Sequence, residues 1–123
     1  MGSEDRMFEV AENNLRTISA LNRSRGIKTV FIPQMLNRTE LTDSTGVNGW
    51  LPFVYDVDVW PLQARFNLMV EELSRSLGDN YVDPDINTFY SSDFADSGHF
   101  NDTGAAKMVS NIEKDIKLHC NNN

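Results

Sequence analysis

Two residues of the chain have the types and spacing to move a proton: Asp96 and His99, within Asp93-Phe-Ala-Asp96-Ser-Gly-His99-Phe-Asn101-Asp-Thr-Gly104. In a tight turn, this spacing lets the carboxylate accept from the near ring nitrogen of the imidazole. The far nitrogen then takes the part of a base. The carboxylate fixes the tautomer and stabilises the imidazolium once it forms. Ester hydrolysis uses such a pair, because a serine hydroxyl is a weak nucleophile until a base removes its proton. Ser91, Ser92 and Ser97 are the nearest serines in sequence. None has the strained elbow or oxyanion donors a nucleophile needs, and each reads as a cap or a solvated loop residue. His119 and Cys120 are adjacent at a helix end. Two ligands there do not make a metal centre.

The elements that must position the pair follow from periodicity. Phe8, Ala11, Leu15, Ile18 and Leu21 recur at three- and four-residue steps, predicting a helix over about residues 4–25 with one apolar stripe. Gly26 offers the left-handed residue that ends it. Lys28-Thr-Val-Phe-Ile-Pro33 is short, β-branched and apolar, as suits a parallel strand buried on both faces. Residues 34–59 read as a long irregular segment, with a short strand around 53–57 as the alternative. A second helix is expected from near Trp60, with Pro61 at an early position and Leu62, Phe66, Met69, Val70, Leu73 and Leu77 inward. Gly78 ends it, and Asn80-Tyr-Val-Asp-Pro84 is the second strand candidate. After a polar loop from Asp85 to Phe100, a last helix opens at Asn101 or Asp102, with Ala105, Met108, Val109, Ile112 and Ile116 facing the core. The order α-β-loop-α-β-loop-α is that of an α/β fold, and the chain reads as a single domain over 1–123.

The run Asp96-Ser-Gly-His99-Phe-Asn101-Asp-Thr-Gly104 resembles the last conserved block of SGNH/GDSL serine hydrolases, Asp-x-x-His-x-Asn-x-x-Gly before a C-terminal helix. The resemblance implies a three-layer αβα, flavodoxin-like fold, a parallel sheet flanked by helices, of which this chain supplies the C-terminal part. It makes Asp96 the orienting acid and His99 the base of a Ser-His-Asp triad, acting on esters or acetylated carbohydrates. The implied mechanism needs no metal or organic cofactor, and Trp50 and Phe100, with Phe53 and Trp60, are candidates to line the substrate side or, equally, to be core aromatics. The sequence holds no Gly-Asp-Ser nucleophile block and no Gly-x-Ser-x-Gly elbow. Gly46-Val-Asn48-Gly49 superficially matches the family's Gly-x-Asn-Asp block but follows the first strand, where the family order needs it before, and reads as a turn. The chain is therefore expected to be inactive alone. The Lys28–Pro33 strand would carry an open edge, to be paired by another copy or a complementing segment or covered by the 50–60 region; self-association, a homo-oligomer, is the favoured reading. The rival reading is a non-catalytic assembly module on a hydrolase-derived scaffold.

Composition narrows the partners. Eleven Lys and Arg against 18 Asp and Glu give a net charge of −7, which disfavours a nucleic-acid partner because phosphate binding needs surplus cations. No apolar run approaches the roughly 18 residues that span a bilayer. Cys120 is the only cysteine, so no internal disulfide forms.

Overall fold

A computed structural model describes residues 3–41 and 54–121. Trp50, Phe53 and the Gly46–Gly49 turn lie outside the described residues. Helix α1 runs Ser3–Ser24, strand β1 Val30–Phe31, helix α2 Asp56–Leu77, strand β2 Asn80–Tyr81 and helix α3 Asp102–Asn121. Two 3-10 turns, Ile86–Thr88 and Ser91–Asp93, lie between β2 and α3.

The sheet is parallel and two-stranded, with Val30 opposite Asn80 and Phe31 opposite Tyr81. The amides of Asn80 and Val82 donate to the carbonyls of Thr29 and Phe31. Alternation along a strand then points the backbone groups of Val30 and Ile32 toward the other edge of β1, where no described strand pairs. Phe31 is buried but Ile32 is exposed, so β1 is not covered on both faces as its composition suggests. Helix α2 packs on both strands and on α1. The architecture is thus mixed α/β, with three helices about a small parallel sheet.

Each helix end has a local cause. Glu4 and Asp5 in the first turn of α1 and Asp56 and Asp58 in that of α2 favour the positive end of the helix dipole. Gly26 (φ 68°) and Gly78 (φ 70°) take the left-handed conformation that stops α1 and α2. After Gly78, the Asp79 amide reaches back to the Ser74 carbonyl, closing the orphaned end of α2. The α2 start differs from expectation. The helix begins at Asp56, so Pro61 lies inside it, and residues 54–57 form no strand.

The α1 stripe is corrected too. Phe8 and Ser19 are buried, whereas Ile18 and Leu21 are about half exposed, together with Met7 and Val10. The helix is rotated so that Ser19 donates to Asp79, which also pairs with Arg23 at 3.0 Å. On α3, Val109 and Ala105 are exposed while Met108, Ile112 and Ile116 are half buried. Helix α3 meets the rest of the chain through the Ser91–Asp93 turn and through Lys28 Nζ, 3.0 Å from the His119 carbonyl. Among the described residues, no helix is long and apolar enough to cross a membrane.

Candidate active site

The loop from Asp93 to Asn101 folds back on itself, at the end of the chain segment that leaves β2. The Asn101 amide donates to the Asp93 carbonyl at 3.0 Å, Phe94 and Phe100 form an antiparallel bridge, and the Ala95 amide donates to the His99 carbonyl at 2.8 Å. These paired rungs leave Asp96, Ser97, Gly98 and His99 as the tip.

At the tip the Asp96 carboxylate is fixed by its own loop. Oδ1 accepts the amides of Gly98 and His99 at 2.9 and 2.8 Å. Both carboxylate oxygens lie 2.9 Å from His99 Nδ1. The Gly98 amide, followed by the imidazole, holds the Asp96 carboxyl below the usual carboxylate range. A carboxylate that stays ionised beside Nδ1 selects the tautomer with its proton on that nitrogen. Proton uptake then falls to Nε2. The side chains of His99 and Asp96 are 72% and 54% exposed, so the pair faces outward.

Asn101 roots the loop on α3. Its Oδ1 accepts the Gly104 amide at 3.0 Å, an N-cap, while Nδ2 donates to the Ser92 carbonyl at 2.8 Å. Gly104 is needed for approach: a Cβ there would stand 2.0 Å from the Asp93 carbonyl oxygen. Phe100, read from sequence as a substrate contact, packs against Phe94 and Phe89, with ring centroids 4.8 and 5.3 Å away. Trp60 lies under the Arg38 guanidinium, 3.4 Å from its ring centroid.

The 35–41 segment, which follows β1, reaches the dyad loop. The Asn37 amide donates to the Ser97 carbonyl at 2.9 Å, and Ser97 Oγ donates to Glu40 at 3.0 Å. Asn37 is 2% exposed and belongs to a closed hydrogen-bond ring whose direction follows from counting protons. Thr39 Oγ1 has one proton, and its 2.8 Å contact with Asn37 Oδ1 uses it. The 3.0 Å contact between Thr39 and Ser91 therefore has Ser91 donating. Asn37 Nδ2 closes the ring onto Ser91 Oγ at 3.2 Å. The hydroxyl protons of Ser91 and Ser97 are thus directed to Thr39 and Glu40.

Beside this ring, a cleft of about 310 Å³ opens between the segments that follow the two strands. Met35, Leu36, Phe89 and Phe94 are among its walls, and neither Asp96 nor His99 lines it. Such a crevice beyond the carboxyl ends of parallel strands is where α/β folds hold ligands. Among the described residues, no three His, Cys, Asp or Glu side chains cluster as metal ligands would.

Sequence reasoning missed the ion pair beneath the loop. Asp93, 3% exposed, forms an ion pair with Lys107 and accepts the Tyr90 amide at 2.8 Å. Asp93 and Lys107 are 14 positions apart, beyond any local pattern. The Lys107 ammonium and then the Tyr90 amide hold the Asp93 carboxyl below its ordinary value. A folded-state carboxyl that is depressed adds stability above the unfolded value, about pH 4, which is lost as the pH falls through the folded value. Thermal midpoints measured downward from neutral pH are therefore expected to fall more steeply in the wild type than in Asp93→Asn. Parallel curves for the two proteins would contradict the pairing.

Comparison of the chain with protein-family models, curated proteins and solved structures gives no match.

Proposed function

We propose that this chain is an SGNH/GDSL-type ester hydrolase module that supplies the acid and base of a Ser-His-Asp triad, Asp96 and His99, to a site whose serine comes from another segment. The observation that carries the reading is the Asp96–His99 geometry: a carboxylate set on Nδ1 by its own loop amides, on a loop that follows a parallel strand. In the reaction, His99 Nε2 takes the serine proton as the oxygen attacks the ester carbonyl carbon. The imidazolium returns that proton to the departing alcohol. Water then attacks the acyl-serine by the same route, regenerating the hydroxyl and releasing the acid. The substrates are small esters or acetylated carbohydrates, and the cleft between residues 35–39 and 86–94 offers apolar room for one part of them.

The three-layer αβα fold belongs to the same proposal. The edge of β1 that no described strand pairs and the exposed apolar residues Met7, Val10, Ile18 and Leu21 on α1 support association of copies of the chain. One observation favours the rival, a non-catalytic assembly module: neither Asp96 nor His99 lines the cleft.

The test is p-nitrophenyl acetate hydrolysis by the purified chain and by His99→Ala, with mass in solution read by light scattering. The expected result is a folded oligomer without turnover beyond the imidazole background. Serine-ester turnover that disappears in His99→Ala would overturn the split site and place a nucleophile within the chain. A chain that stays inactive with every serine-bearing segment supplied to it would favour the assembly module.

A further inference from the structure

The dyad tip begins only three residues from Asp93, which is held at both its carbonyl and its carboxylate. Its carbonyl accepts the Asn101 amide and abuts Gly104, while its carboxylate takes the Tyr90 amide and the Lys107 ammonium. Asn101, Gly104 and Lys107 follow at steps of three, along one side of the first two turns of α3. They form a seat for the loop: a cap, a gap for close approach and a charge.

Lys107 grips more than the carboxylate. Its Nζ donates to the Thr88 carbonyl at 3.0 Å and lies 5.1 and 5.6 Å from the ring centroids of Tyr90 and Phe89. One ammonium thus ties Thr88, Tyr90 and Asp93 to α3. An ion pair with one partner buried is a modest stabiliser, since desolvation of the buried carboxylate offsets much of the attraction. What it adds is direction. Charge-assisted hydrogen bonds fix the angle as well as the separation of the groups they join.

We propose that Asp93 and Lys107 are positioning residues that clamp the root of the 93–101 loop and so hold the Asp96–His99 pair in register. For catalysis the inference rests on the hydrolase reading, but the clamp itself is measurable without turnover. Asp93 fixes Phe94, whose bridge to Phe100 fixes Ala95 and His99, and these set where Asp96 meets the imidazole. A loosened root opens the tip, and the Gly98 and His99 amides lose their acceptor on Asp96.

The experiment is amide hydrogen exchange by NMR on the full chain, comparing wild type with Lys107→Met and Asp93→Asn. Carbon-13 titration of the Asp96 carboxyl runs alongside. Losing a charge-assisted contact is expected to speed exchange at Gly98 and His99 about tenfold or more, while α2 amides at Val70 and Leu73 keep their rates. The Asp96 titration is expected to move up toward the ordinary carboxylate value. A merely structural pair would instead raise exchange throughout the chain and leave Asp96 unchanged within the folded molecules. Unchanged Gly98 and His99 rates in a folded variant, or a uniform rise, would overturn the clamp. Should Lys107→Met fail to fold, Asp93→Asn decides, since it keeps an acceptor for Tyr90 and removes only the charge. Failure of the hydrolase reading looks different: no form of the protein, complemented or not, would turn over p-nitrophenyl acetate.

Discussion

Replacing Gly104 by alanine is expected to destabilise the fold by about 3 kcal/mol, at the upper end of what overpacking costs. The reason is contact with backbone. The added methyl would stand 2.0 Å from the Asp93 carbonyl oxygen and 2.8 Å from the Phe100 ring. A ring can tilt, but the Asp93 carbonyl is held by the Asn101 amide and by the carboxylate contacts on the same residue. Relief requires the loop to lift from α3, which breaks the Asn101 cap at Gly104 and carries the dyad with it. Urea denaturation of Gly104→Ala measures the loss, and Gly26→Ala provides the contrast. A Cβ at Gly26 meets nothing within 4 Å, so only its left-handed backbone is penalised, by about 1 kcal/mol. Equal losses at the two sites would show that the loop does not sit against α3 as described.

The second large effect concerns chemistry. In a complemented site, Asp96→Asn is expected to lower kcat by roughly 10⁴-fold, the scale of the corresponding change in serine proteases, while KM moves little. The amide side chain has the shape of the carboxylate, so the turn at Gly98 and His99 keeps an acceptor. What it loses is the charge that stabilises the imidazolium and the preference for a proton on Nδ1. Steady-state kinetics of the two forms test this. A loss below tenfold would remove Asp96 from the reaction and leave it a loop-shaping residue.

The parts of the molecule readable from sequence are those whose causes are local. Asp96 and His99 meet across three residues, and the amides that orient Asp96 lie within the same stretch, so spacing sufficed. Gly26 and Gly78 marked the helix ends because a left-handed residue has few tenants. The buried side of α1 was not readable. Two neighbouring arcs of that helix are apolar, and a polar tie from Ser19 to Asp79, 60 residues away, selects the one containing Phe8. Pro61 suits a first turn and so points to a start of α2 near Trp60, but the charges of Asp56 and Asp58 fit that turn and the helix begins with them. The Asp93–Lys107 pair and the Asn37–Ser91–Thr39 ring join segments that only tertiary structure brings together.

The 93–101 loop also has a place in the order of folding. Among the described residues, most of the contacts that shape it lie between Thr88 and Lys107, 19 positions apart at most, with Asn37, Thr39 and Glu40 reaching in from elsewhere. Closing a loop of about ten residues takes on the order of 10–100 ns, and a helix of this length relaxes within about a microsecond. The β1–β2 pairing spans some fifty residues and is slower for that reason. The imidazole can therefore meet its carboxylate before the sheet exists, and the pair is a low-contact-order unit that the rest of the chain receives ready-made.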